Sequence, residues 1–216
     1  MIRHCEGESN IAQIYNGTTD LDISELGEKQ LEKLGERFDD IELSAVYSTH
    51  LIRARKTAHA VADRKGLEIS IDPQLLEIYG GVAEGVKFSD TFRKYPELKE
   101  MWDNHPEDFH PKDGESMRQL YDRVYEAVLR ISALYDGKAV AAVSHGGAIR
   151  CLLCRLLFGD IKRLKDTPWS KNTDVALLRV DNENKTVSLI YHGDHSHLTE
   201  DMLPQNSMVE NFGKDQ

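Results

Sequence analysis

The sequence predicts an α/β protein, a three-layer α/β/α sandwich around a mostly parallel central sheet. Two observations carry that expectation. Short β-branched runs alternate with longer stretches of helical periodicity. Histidines follow directly on two of the runs, the second of them leading through a pair of glycines into a helix, which is where an open α/β sheet presents its ligand-binding rim.

The first strand is the anomaly. Only Met1 and Ile2 precede Arg3, whereas a strand normally has about five or six residues. It should therefore be short or ragged at its start, unless the natural chain carries several more N-terminal residues. A helix follows over 24–38, with Ser24 as a plausible start ahead of Gly27 and Glu28, because a serine hydroxyl can accept from a first-turn N–H. AVYS (45–48) is the next strand, 51–65 a helix and LEISI (67–71) a third strand. Between about 79 and 115 the pattern dissolves into Gly80-Gly81, Phe88, Phe92, Tyr95, Pro96, Trp102, Pro106, Phe109 and Pro111. So long an irregular insertion in a compact domain usually caps a site.

Ser116 then leads a helix over 116–135, with Leu120, Val124, Val128 and Ile131 at three-to-four spacing. KAVAAVS (138–144) reads as a strand and 147–158 as a helix. VALLRV (175–180) and TVSLIY (186–191) flank Asp181-Asn182-Glu183-Asn184 as a hairpin. The chain reads as one domain over 1–216, with a polar, weakly ordered tail after about 204.

A net charge of −10 over 216 residues argues against a nucleic-acid or anionic-membrane surface. Any anionic substrate must then be held by a local basic pocket. No stretch approaches the ~20 apolar residues of a membrane span, and the N-terminus lacks an apolar signal core, so a cytoplasmic location is expected. Three cysteines, two of them in the apolar helical stretch CLLCRLLF, read as reduced, buried thiols; Cys151 and Cys154 have no second ligand pair for zinc.

His4 and His145 both stand at strand ends and so share one rim. Ser48 ends a third strand, and Arg53 in YSTHLIRARKTA can reach back over the same edge. With Arg3, and Asn10 on the first loop, this makes a cluster of two guanidiniums and two imidazoles. Guanidinium forks match phosphate oxygens and stay charged, which gives a phosphate clamp without a metal. A neutral imidazole can attack phosphorus directly if its other nitrogen donates to a carbonyl. Each residue alone fits an ordinary structural role equally well; the joint placement points to chemistry.

The residues RHCEGESN resemble the R-H-G-E-[ST]-x-x-N opening of the histidine phosphatase (phosphoglycerate mutase-like) superfamily, branch 1. YSTHLIRARKTA is similar to that family's second-arginine motif, LLEIYGGVAEG to its acid-bearing loop, DGES to its marker before a long helix and VSHGGAIR to its second-histidine motif. The match covers residues 1 to about 160 and implies a phosphoglycerate mutase-like fold. It implies that His4 is the nucleophile that becomes phosphohistidine, and that Arg3, Arg53, His145, Asn10 and Gly146 bind the phosphoryl group. Glu77 would protonate the leaving oxygen, for which it must hold a proton near neutral pH, with Glu84 the runner-up acid. Two positions depart from the pattern: Cys5 replaces the usual glycine and Gly7 the usual Ser or Thr. Neither removes a group the transfer needs, although Cys5 places a thiol beside the nucleophile.

The expected activity is a metal-independent phosphomonoesterase acting on a small phosphorylated metabolite. Mutase-type transfer is the alternative and a non-catalytic phosphate-binding module a third reading. A phosphoglycerate mutase must also hold a carboxylate and a second phosphate. Between Glu77 and Glu115, however, stand ten acidic residues and only five basic ones. Tyr79, Phe88, Phe92 and Trp102 suggest a partly apolar leaving group. The sequence implies no cofactor and a small-molecule partner only, and leaves the oligomeric state open, a homodimer included. In the tail, His192, His195 and His197 read as a solvated segment or a loop closing near the site rather than a metal centre.

Overall fold

Alternation along short apolar strands decides how this chain is layered. A computed structural model describes residues 1–203; the expected weakly ordered tail lies outside them. The strands are β1 (Ile2–Arg3), β2 (Ala45–Ser48), β3 (Ile69–Ile71), β4 (Val140–Ser144), β5 (Val175–Asp181) and β6 (Thr186–Asp194). The helices are α1 (Glu8–Ala12), α2 (Glu25–Arg37), α3 (Ile52–Ala62), α4 (Phe88–Lys94), α5 (Pro96–Asn104), α6 (Met117–Ala133) and α7 (Gly146–Phe158).

The strands form one sheet in the order β3-β2-β4-β1-β5-β6. The first four are parallel, while β5 runs antiparallel to β1 and β6 antiparallel to β5. Successive side chains of a strand point to opposite faces, so Ile2, Val46, Ala141, Val143 and Val175 meet Leu34 of α2, Phe38 at its C-terminal end and Ala54, Ala58 and Val61 of α3. Ala45, Tyr47 and Ala142 face the other way, onto Ala127 and Ile131 of α6. The α6 stripe Leu120, Val124 and Val128 packs in turn with Ala148, Cys151 and Leu152 of α7. These are the three layers the sequence predicts.

The two predicted helix starts hold. The Ser24 hydroxyl accepts from the Gly27 N–H at 3.0 Å. Ser116 accepts from the Gln119 N–H at 3.3 Å while the Gln119 side chain accepts from the Ser116 N–H at 2.9 Å, a reciprocal capping box. β1 is two residues long, as expected; below it a groove of about 470 Å³ opens between β4 and β5.

The segment 79–115 departs from expectation: instead of irregular chain it holds α4 and α5. These helices have seven and nine residues, too short for a clear 3.6-residue stripe, and Pro96 read as a breaker although it opens α5, where its missing N–H costs nothing. α1, with five residues, gave no periodic signal for the same reason. Cys151 and Cys154 lie buried on α7, the first against the Met117 sulfur at 3.4 Å, the second donating to the Asp160 carbonyl at 3.3 Å. No helix among the described residues is long and apolar enough to cross a membrane.

Candidate active site

Arg3 of β1 pairs with Ser144 of β4, so the next residue of each neighbouring parallel strand is a histidine. The rings of His4 and His145 lie 5.1 Å apart, centroid to centroid, and both are buried. His4 Nδ1–H donates to the Cys5 carbonyl at 2.6 Å, a tautomer that leaves the lone pair on Nε2. Burial, with Arg53 and Arg3 alongside, holds His4 well below its usual range, so the ring is neutral. His145 is pushed down for the same reasons, burial first and then Arg53 and His4. Its Nε2 lies 3.0 Å from the Thr49 hydroxyl, and its buried Nδ1 has no partner among the described residues.

The two arginines are fixed by backbone carbonyls rather than carboxylates. Arg53, buried at the start of α3, donates to Asn16 O at 2.6 Å and Thr19 O at 3.0 Å. Burial lowers it to about 10, which leaves it charged at neutral pH. Arg3 donates to the Ser170 carbonyl. The Nε of each is buried without a partner among the described residues. An unpaired buried polar atom costs about 1–3 kcal/mol, and Arg3, Arg53 and His145, which all neighbour His4, each carry one. Two guanidiniums beside two imidazoles are able to hold a compact anion.

Arg3, His4, Asn10, Arg53, Glu77 and Gly146 line one cleft, of about 70 Å³. Asn10 accepts from the Gly7 N–H at 2.9 Å through Oδ1, which ties the first turn of the loop. Glu77 reaches the same cleft from the loop after β3. Its side-chain oxygens accept from the N–H groups of Gly147 at 2.8 Å, Ala148 at 3.1 Å and Ile78 at 2.9 Å, so it is anchored on the N-terminus of α7. A Cβ on Gly147 would stand 2.5 Å from Glu77 Oε1, so only glycine lets the carboxylate settle there. Glu84, the runner-up, is occupied elsewhere: it accepts from Gly80, Thr18 and Thr19 N–H groups and joins two loops.

Several residues here escaped sequence reasoning. Arg123 of α6 pairs with Glu115 of the DGES stretch at 2.6 Å and donates to the carbonyls of Gln74, Leu76 and Glu77 at 2.8–3.0 Å, which fastens the Glu77 loop. Asn172 and Thr173 hold the His4 carbonyl and backbone from the loop before β5. The tail histidines brace that loop: His195 lies 3.1 Å from Asp174 and His197 3.1 Å from the Thr173 hydroxyl, while His192 is exposed. Among the described residues no group of three or more His, Cys, Asp or Glu side chains is placed to share a metal. Tyr15, Phe88, Trp102, Met117 and Trp169 complete the cleft wall. Burial, with Glu77, Glu84 and Glu115 nearby, holds the Tyr15 phenol well above its usual range, and its hydroxyl has no partner among the described residues. Cys5 is fully buried, and burial pushes its thiol up to about 12; it packs with Ile23 and Leu31 and is not a reactive thiolate.

The family model of the histidine phosphatase superfamily (branch 1) matches residues 1–192. Phosphoserine phosphatase 1 of Hydrogenobacter thermophilus is 31% identical over 176 residues, covering 82% of each chain. Phosphoglycerate mutase-like protein 4 of Arabidopsis thaliana is 32% identical over 203 residues, 93% of this chain and 86% of that one. Among solved structures, YhfR of Bacillus stearothermophilus superposes with a TM-score of 0.85 at 28% identity, covering 91% of this chain and 96% of its own. A match that spans nearly all of the described residues, with relatives above 30% identity along most of both lengths, leads to one conclusion: this chain belongs to branch 1 of the histidine phosphatase superfamily.

Proposed function

We propose that this protein is a phosphomonoester hydrolase that needs no metal and works through a phosphohistidine at His4. One observation carries the reading: a neutral His4, its Nδ1 turned to the Cys5 carbonyl, neighbours Arg3, Arg53 and His145, and Arg3 Nε, Arg53 Nε and His145 Nδ1 are buried without a partner among the described residues. The phosphoryl oxygens satisfy those donors, and their positive field offsets the charge that grows as His4 Nε2 bonds to phosphorus and the ester P–O bond breaks. Glu77 supplies the proton to the departing oxygen. The same carboxylate then removes a proton from the water that attacks the phosphohistidine, releasing inorganic phosphate and restoring the free imidazole.

Hydrolysis is favoured over mutase transfer because Arg3 and Arg53 are the only cations among the described residues that line the cleft. A phosphoglycerate brings a carboxylate, and in the transfer step a second phosphate, and neither would be paired. Phosphoserine, named by the Hydrogenobacter relative, brings the same unpaired carboxylate.

The test is p-nitrophenyl phosphate turnover with EDTA present, together with acid-quench trapping of the phosphoenzyme and the His4→Ala variant. Turnover, an acid-labile phosphoenzyme and loss of both in His4→Ala are expected. Loss of turnover with EDTA would overturn metal independence. Failure of the parent to hydrolyse any phosphomonoester would favour the binding-module reading, and interconversion of 2- and 3-phosphoglycerate the mutase.

A further inference from the structure

Beyond the phosphate cluster the cleft changes character abruptly. A Cβ on Gly146 would lie 3.3 Å from Arg3 Nε and 3.5 Å from the Trp169 ring, so the indole begins where the guanidinium ends. Trp169 is held by Arg150, whose guanidinium lies 4.4 Å from the ring centroid and is itself fixed by donation to the carbonyls of Thr167 at 3.0 Å and Leu164 at 2.7 Å. Trp102 lies 6.0 Å from Trp169 with 30° between planes, and is braced edge-on by Phe109 at 5.1 Å. The two indoles are thus a stiff wall, preorganised before any substrate arrives.

An aromatic cluster is more often core than binding surface. Here two features point to a ligand. Both indoles line the open cleft, and Tyr15 beside them buries a hydroxyl that no described residue satisfies. Among the described residues the wall also offers no cation to a charged leaving group, since Arg150 is engaged by Trp169 and the Thr167 and Leu164 carbonyls and the lining cations Arg3 and Arg53 belong to the phosphate cluster.

We propose that Trp102 and Trp169 form a leaving-group subsite selecting esters whose non-phosphate part is an uncharged, flat ring on a short linker, an inference that rests on the hydrolase reading above. Stacking and ring burial favour such a group, and a carboxylate placed against the indoles would lose its water with nothing to replace it.

The experiment compares kcat/KM for benzyl phosphate, phosphoserine and 3-phosphoglycerate, all esters of primary alcohols, so that intrinsic leaving-group reactivity is similar. Benzyl phosphate is expected to exceed the other two by about 30-fold or more. In Trp169→Leu and Trp102→Leu that ratio should fall to about threefold or below. Should the variants fail to fold, the unmodified protein gives a second measure: benzylphosphonate, which cannot be hydrolysed, should inhibit about 30-fold more tightly than methylphosphonate. Equal or better turnover of the charged esters, an unchanged ratio in both variants, or equal inhibition by the two phosphonates overturns the subsite while leaving the hydrolase reading in place. No turnover of any ester, with no phosphoenzyme trapped, removes the hydrolase reading and this inference with it.

Discussion

Gly147→Ala separates the position of Glu77 from its presence. The new methyl carbon would sit 2.5 Å from Glu77 Oε1 and 3.2 Å from its Cδ, so the carboxylate must swing away, and the hydrogen bonds from Gly147 and Ala148 at 2.8 and 3.1 Å go with it. Each such bond to a charged group contributes about 1.5–3 kcal/mol, but the half-buried carboxylate recovers much of that from water. Alanine also gains about 1 kcal/mol over glycine in a helix. Global stability should therefore change by no more than about 2 kcal/mol in urea unfolding. Catalysis has no such compensation, because general acid–base transfer contributes about 10²–10⁴-fold and depends on placement. Benzyl phosphate turnover should fall by about that factor. With p-nitrophenyl phosphate, whose phenolate departs without a proton, rapid quench should show a near-stoichiometric nitrophenol burst followed by slow steady-state release, since dephosphorylation still needs the displaced base. Benzyl phosphate turnover within about threefold of the parent, from a folded variant, would refute the assignment of Glu77 as the group that moves these protons.

Three further outcomes follow from the same geometry. Thr49→Val strips the hydroxyl from His145 Nε2 and frees the ring to place its proton on the wrong nitrogen; kcat/KM should fall about tenfold to a hundredfold, with Thr49→Ser close to the parent and ring ¹⁵N shifts reporting the tautomer change. Because His4 and His145 are both held well below 6.5, the unfolded chain gains protons below that pH that the folded chain refuses. Stability in urea should thus fall on acidification below about pH 6.5, each ring contributing up to about 1.4 kcal/mol per pH unit, and a flat profile down to about pH 5.5 would sink the claim that both rings are buried and neutral. Cys5, buried and pushed up to about 12, should resist iodoacetamide in the native protein while reacting once unfolded; rapid alkylation with loss of activity would show the thiol to be exposed.

What the sequence could carry was whatever depends on neighbours along the chain. Periodicity placed the long helices and the strands within a few residues, since a stripe of Leu120, Val124, Val128 and Ile131 needs only helical geometry to declare a buried face. His4 and His145 were legible because a histidine straight after a strand can point only to the sheet's carboxyl rim, and Arg3 and Arg53 because they sit one residue before and one short helix turn after such ends. Tertiary structure decided the rest, because those interactions join residues far apart in the chain. That Glu77 lies on the N-terminus of α7, that Arg123 fastens its loop, and that Trp169 meets Trp102 depends on contacts across separations of 70, 46 and 67 residues. No local pattern encodes such pairings, and they bring Glu77 and the two indoles to the same cleft.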